Sequence, residues 1–178
     1  MFITSLSFSQ EVRWLSIGDL HNWYSAAGSE IEIGRTGQIS DQQDGLRYPA
    51  FYRAQDNQAA KGLWLGAANF YDPIVNKDYT HKVVHAGPRH LDIESETIPV
   101  KLTMDGRHDH TNVIVDGNPA TNLQYSDKVD NIDPSLVSDR RINNIVQTTM
   151  GVEMRRTIHA FSHPDHQNYH IQEYIFKN

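Results

Sequence analysis

No segment of this chain repeats apolar residues at i, i+3, i+4 and i+7 over three turns, the spacing that an amphipathic helix needs. ETIPVKLTM (96–104) has the opposite rhythm. Ile98, Val100, Leu102 and Met104 fall on one face, with Thr97, Pro99, Lys101 and Thr103 on the other. That is the period of two of a half-buried strand. Pro99 has no N–H to give to a ladder, so this strand lies at an edge or is bulged there.

The same period returns near the end of the chain. RINNIVQTT (141–149), GVEMRRTIHAFS (151–162) and NYHIQEYIF (168–176) read as three consecutive strands. In the second, Val152, Met154, Ile158 and Ala160 share a face that Arg156 interrupts. In the third, Tyr169, Ile171 and Ile175 alternate with His170, Gln172 and Tyr174. Four earlier segments also read as strands: VRWLSI (12–17), GLWLGAANF (62–70), HKVVHAG (81–87) and HTNVIVDGN (110–118). The last runs into a turn at Asp116–Gly117.

Between the first of these and residue 62 the turn signals crowd together, at Gly28, Gly34, Gly37 and Asp44–Gly45. This part reads as short strands and ordered loops held by Trp14, Trp23, Tyr24, Tyr48, Phe51 and Tyr52. QDNQAAKG (55–62) fits one helical turn, and residues 119–140 are mostly connection. The pattern predicts a single all-β domain over 11–178, antiparallel and sandwich-like, with long ordered loops. It is loop-rich over 18–61 and strand-rich over 62–178. Trp64, Val100, Ile158 and Ile175 are expected in its core.

A chain of 178 residues fits one such domain and is long enough to bury a core. The net charge of −6, with Lys and Arg scattered, argues against a nucleic-acid partner. With no cysteine there is no disulfide, no thiolate nucleophile and no Cys-based metal site. No apolar run approaches the roughly 20 residues that span a bilayer. The opening MFITSLSFSQ (1–10) is apolar, small and uncharged. It fits the remnant of a signal peptide without its positive n-region, or an ordinary first strand. The chain stops at IFKN, straight out of a strand, which reads as a domain incomplete at its C-terminus.

HPDHQNYH (163–170) is the densest concentration of metal-type side chains. His163, His166 and His170, with Asp165, offer imidazole and carboxylate to zinc or a similar ion. Pro164 opposes a helix, and a strand from 168 onward would point His170 away from the loop that holds the other two. A solvated inter-strand loop is therefore the preferred reading. His108-Asp109-His110 would project both imidazoles to one side of a strand, yet it follows Asp105–Gly106 and reads better as a loop tip. Asp127, Asp130 and Asp133 could attract calcium, but the spacing is not that of an EF-hand loop, and Asx-turns account for it. No metal or other cofactor is expected on balance, with zinc or calcium the candidates if one binds.

The motifs GxSxG, GxGxxG, GxxxxGK[ST] and HExxH are absent. Glu30 and Glu32 in SEIEI share a strand face, and an exposed strand explains them better than a catalytic carboxylate pair. Trp14, Trp23 and Trp64 could stack on sugars, although tryptophans in a β domain more often pack its core.

The strings LHNWYSAAGSE (20–30), DGLRYPAFY (44–52), AAKGLWLGAANF (59–70), KVVHAGPR (82–89) and NYHIQEYIFKN (168–178) carry a resemblance. Together they resemble the N-terminal region of large, uncharacterised exported proteins of Bacteroidota-like bacteria. Those proteins typically carry a secretory signal, this region and further β-domains, and often end in a type IX secretion sorting domain. No such sorting domain is present in this sequence. The resemblance implies a secreted or cell-surface location, and as partners other domains of a longer parent chain or cell-surface components. It implies no catalytic residue. The expected function is a non-catalytic β-rich module with a structural, adhesive or assembly role. A metal-dependent extracellular hydrolase using the histidines is the first alternative, and a carbohydrate-binding module the second.

Overall fold

The alternation of the C-terminal strands builds the largest sheet. A computed structural model describes residues 11–31, 45–52, 55–87, 96–109, 113–120 and 129–178. Residues 1–10, with the signal-like segment, lie outside the described residues. In chain order the strands are β1 (Val12–Leu15), β2 (Asn22–Ser25), β3 (Glu30–Ile31), β4 (Ala60–Lys61), β5 (Leu63–Asp72) and β6 (Lys77–Ala86). They continue as β7 (Thr97–Gly106), β8 (Val113–Val115), β9 (Asn118–Ala120), β10 (Asn131–Ile132), β11 (Arg140–Thr148), β12 (Glu153–Ala160) and β13 (Ile171–Lys177). The fold is all-β, antiparallel in the main and not closed into a barrel, as the sequence pattern predicts. Residues 55–59, where one helical turn was expected, are irregular and lead into β4.

Among the described residues five strands form the main sheet, in the order β10-β7-β11-β12-β13. All its pairings are antiparallel except the short parallel contact of β10 with β7. The register lines up Met104, Ile142, Ile158 and Gln172 in one inward row, and Leu102, Asn144, Arg156 and Tyr174 in the next. The β1–β2 hairpin covers part of this face, burying Leu15, Tyr24 and Ala26 against Leu102, Met104, Ile142, Ile158 and Ala160. The β5–β6 hairpin covers another part, through Ala86 against Val146 and Met154. Gly28 turns the chain between these contacts with a φ of +98°, and a Cβ there would sit 2.6 Å from Met154 Cε. Only glycine meets both demands.

The expectations for the core divide sharply. Ile158 is fully buried, whereas Trp64, Val100 and Ile175 are 75%, 55% and 46% exposed. A bulge accounts for Val100. Pairing with β11 jumps from Ile145↔Lys101 to Val146↔Pro99, leaving Val100 as the extra residue. One extra residue reverses which face the following side chains take. Leu102 and Met104 stay inside while Ile98 turns out. The bulge falls beside Pro99, one of the two outcomes, edge or bulge, that the missing N–H predicts.

In β13 the faces are the reverse of the apolar reading. Gln172 and Tyr174 continue the inward rows, and Ile171 and Ile175 face out. Trp64 lies on the outer face of its hairpin, its ring 6.0 Å from that of His85. Among the aromatics expected to hold the N-terminal loops, Trp14, Trp23 and Tyr24 are buried, but Tyr48, Phe51 and Tyr52 are exposed.

Ile158→Ala is expected to cost about 2–5 kcal/mol, the range for emptying a packed aliphatic site. Trp64→Ala should change stability by no more than about 0.5 kcal/mol. Urea denaturation of the two variants checks both.

Candidate functional site

A polar seam crosses the buried face of the main sheet, and the turn after β2 builds it. Gly28 N–H donates to the Ser25 carbonyl (3.1 Å) and Ser25 N–H to that of Ser29 (2.9 Å), closing a tight loop. The Ser25 and Ser29 hydroxyls lie 2.6 Å apart and tie its ends. This loop lays two backbone carbonyls over β12 and places Glu30 immediately beyond them.

Arg156 is the residue beneath. It is only 1% exposed. Its Nη2 donates to Ser25 O (3.2 Å), Ser29 O (3.4 Å) and Asn144 Oδ1 (3.1 Å). Its guanidinium carbon sits 5.3 Å from the centre of the Tyr24 ring, a cation–π contact. Asn144, its cross-strand neighbour, donates in turn to the carbonyls of Ala26 and Lys101, both at 3.0 Å. Each hydrogen-bonding end of Asn144 is thus spoken for.

Glu30 is 3% exposed and gathers four donors. They are Asn22 Nδ2 (2.7 Å), Lys61 Nζ (2.8 Å), Gln172 Nε2 (2.8 Å) and Gln58 Nε2 (3.2 Å). Burial pushes its carboxyl up, but the hydrogen bonds of Lys61, Gln172 and Gln58 and the Lys61 charge outweigh it and hold the group below the usual value of 4.5. Glu30 is therefore a carboxylate inside the fold, and the exposed-strand reading of SEIEI does not apply to it. Glu32 lies outside the described residues.

Tyr24 and His170 complete the seam. Tyr24 Oη is 2.9 Å from His170 Nδ1 and receives Gln172 Nε2 at 3.4 Å. The hydroxyl keeps a second lone pair after receiving Gln172, so either it or a protonated Nδ1 can be the donor in the contact with His170. His170 Nε2 is buried without a hydrogen-bond partner. Burial drives His170 down to about 4 from 6.5, so it is neutral near pH 7. Burial, reinforced by the charge of Glu30, raises the Tyr24 phenol well above its usual range.

The structure separates the three histidines of HPDHQNYH. His163 and His166 stay in the exposed loop with their rings 5.7 Å apart, while His170 turns beneath β1–β2 to meet Tyr24. His163 Nδ1 accepts the Asp165 N–H at 3.2 Å, and His166 Nδ1 bonds the Tyr169 hydroxyl. His108 is exposed just past β7, and its backbone carbonyl accepts Arg140 Nη1 at 2.8 Å. His110 lies outside the described residues. Among the described residues no three His, Asp or Glu side chains converge to hold a metal ion.

The aspartates also part company. Asp130 takes the Arg13 guanidinium at 3.2 Å and the Met104 N–H at 2.8 Å, whereas Asp133 caps Ser135 in the expected Asx-turn. Asp127 lies outside the described residues. A Ser–His contact exists at Ser138 Oγ and His159 Nδ1, 2.9 Å apart. Ser138 is fully buried, so its hydroxyl meets no substrate.

Most of the seam's donors and acceptors are spent on one another, Arg156 Nε and His170 Nε2 being buried without a hydrogen-bond partner, and Lys61, half-exposed, is its rim. Comparison with protein-family models, curated proteins and solved structures finds no match for the chain.

Arg156→Ala is expected to cost about 1–3 kcal/mol, because it leaves Asn144 Oδ1 buried without its donor, while the Ser25 and Ser29 carbonyls keep their backbone donors. Urea denaturation measures that loss. Stability should also fall as pH drops from 6.5 toward 4, since unfolded His170 takes a proton that the folded state refuses. The slope is at most about 1.4 kcal/mol per pH unit, and His170→Gln should flatten it. Glu30 contributes in the same direction but only below 4.5, as its carboxylate is protonated.

Proposed function

We propose that this chain is a non-catalytic β-rich module of an exported or cell-surface bacterial protein, with a structural, adhesive or assembly role. The observation that carries the reading is the burial of the polar seam beneath the β1–β2 hairpin. Tyr24, Glu30 and Arg156 are 1%, 3% and 1% exposed, and each is held by groups of the same fold. A catalytic acid, base or nucleophile must reach a substrate proton or carbon, within about 2.6–3.2 Å for proton transfer. None of these three is placed to do so.

What the fold offers to solvent is contact surface. The outward rows of the main sheet and the β5–β6 hairpin carry Trp64, Val83, Ile98, Val100, Ile171 and Ile175, all about half-exposed or more. Exposed strand faces of this kind serve contact with other domains of a parent chain or with surface components. The string resemblance to exported Bacteroidota-like proteins supports the location. A sugar-binding platform draws no comparable support, because Trp14 and Trp23 are buried and Trp64 stands apart from them. No helix among the described residues is long and apolar enough to cross a membrane.

Elemental analysis of the purified chain, beside a His163→Ala, His166→Ala double variant, tests the reading against a metal-dependent hydrolase. The expected result is no stoichiometric metal in either and a melting temperature unmoved by chelator. Stoichiometric zinc or calcium that disappears in the variant would overturn the module reading in favour of the hydrolase.

A further inference from the structure

The main sheet is finished differently at its two edges. On one side the last strand is β10, of two residues, a short edge that offers little to pair with. On the other, among the described residues, the last strand is β13, seven residues in unbroken register with β12. Natural edges are blunted by proline, bulges or inward-pointing charge. β13, IQEYIFK, has no proline and no bulge, and its two charges, Glu173 and Lys177, lie on the outward face with Ile171 and Ile175. Ile171, Ile175 and Phe176 are 49%, 46% and 46% exposed.

The order of residues along this edge is self-complementary. Two copies can join their β13 strands antiparallel about a two-fold axis perpendicular to the sheet, which keeps the outward face outward in both. If the axis passes through Ile175, Ile175 meets its own copy, Tyr174 meets Phe176 of the second copy, and Glu173 meets Lys177 in two equivalent ion pairs. Moving the axis to Tyr174 sets Glu173 against Ile175 and Lys177 against Ile171. Moving it to Glu173 sets like charges face to face. Opposite-charge and aromatic pairs directly across strands stabilise, and like-charge pairs destabilise. One register therefore wins on both counts.

We propose that β13 is a self-association edge, through which a second copy of this chain continues the sheet antiparallel about Ile175. A C2 contact of this kind uses the same patch on both partners. Edge pairing of seven residues covers little surface, so the dimer is a weak, concentration-dependent one. The inference is independent of the module reading, since an enzyme could associate in the same way.

Sedimentation equilibrium over a concentration series tests it, with circular dichroism confirming that each variant is folded. The wild-type chain is expected to rise from monomer toward dimer mass. Glu173→Lys and Lys177→Glu should each weaken association about tenfold, since each turns two attractive pairs into two repulsive ones. The double exchange, Glu173→Lys with Lys177→Glu, should restore it. Lys177 also faces Glu153 within the sheet, and that internal cost is the same in the single Lys177→Glu variant and in the double, so recovery reports the new contact alone. Ile175→Cys gives an independent reading: under mild oxidation it should form a disulfide-linked dimer, because directly opposed strand residues have Cα atoms within bridging distance. A wild-type chain that stays monomeric at every concentration overturns the proposal. So does a dimer that ignores both charge variants, or a double exchange that fails to recover.

Discussion

The structure turns on one buried cation. Arg156 sits in the centre of β12 on the inward face, at a position that strand periodicity reserves for an apolar side chain. Burying a guanidinium without partners costs several kcal/mol, so it is tolerated only where neighbours supply acceptors. Here they come from two places: the end of β2 and its turn, with the Tyr24 ring and the carbonyls of Ser25 and Ser29, and the adjacent strand, with Oδ1 of Asn144. The turn that supplies the carbonyls also delivers Glu30, which draws in Asn22, Gln58, Lys61 and Gln172. Removing Arg156 would cut one of the loop's ties to the sheet, leaving those of Ala26 to Asn144 and of Glu30 to Gln172.

This arrangement says why the layers meet in one way. A purely aliphatic interface between the β1–β2 hairpin and the main sheet would tolerate sliding by two residues, since any row of Ile, Leu and Met fits another approximately. The row Leu102-Asn144-Arg156-Tyr174, with Asn144 and Arg156 at its centre, cannot slide. A shift of β12 against β11 would part Arg156 from Asn144, and a shift of the hairpin would part it from Ser25 and Ser29. Buried polar groups are often retained for such fixing of register, even when they add little net stability. The Val100 bulge works with this, because it reverses the phase of β7 just where the sheet passes from one covering hairpin to the other.

Much of the scaffold is legible in the sequence because a period of two leaves a direct trace. The strands from 141 onward, the strand of ETIPVKLTM and the bulge beside Pro99 follow from alternation and a missing N–H. What alternation cannot say is which of two faces turns inward when both carry apolar residues. In β13, Ile171 and Ile175 look like the core face, but Gln172 and Tyr174 take it because Glu30 and Tyr24 wait opposite them. The seam itself is illegible one strand at a time. Arg156 reads as an interruption and Glu30 as a surface residue, since the partners of each lie up to 142 residues away. A sign was present nonetheless: an arginine in phase with Met154 and Ile158 must be buried with acceptors or break the strand. The histidines of HPDHQNYH mislead for a related reason, as closeness in sequence says nothing about which side of a strand each ring takes.

The division between a closed interior and an open edge follows from the same economy of groups. Tyr24, Glu30 and Arg156 are engaged in holding hairpin to sheet, and burial with the neighbouring groups sets the states of Tyr24 and Glu30. Surface positions keep the β-branched and aromatic residues that a strand face presents naturally. A sheet so fixed from beneath holds β13 in register, with its inward face anchored by the Gln172 bond to Glu30 and by Tyr174 packed on Ala86, Val146 and Met154, and its outward face exposed. An edge held this way is a rigid template, and rigidity is what lets two short strands pair without first giving up their own freedom. The buried arginine and the exposed strand are thus two ends of one mechanical chain, running from Arg156 through Tyr174, its partner across the strands, to the edge.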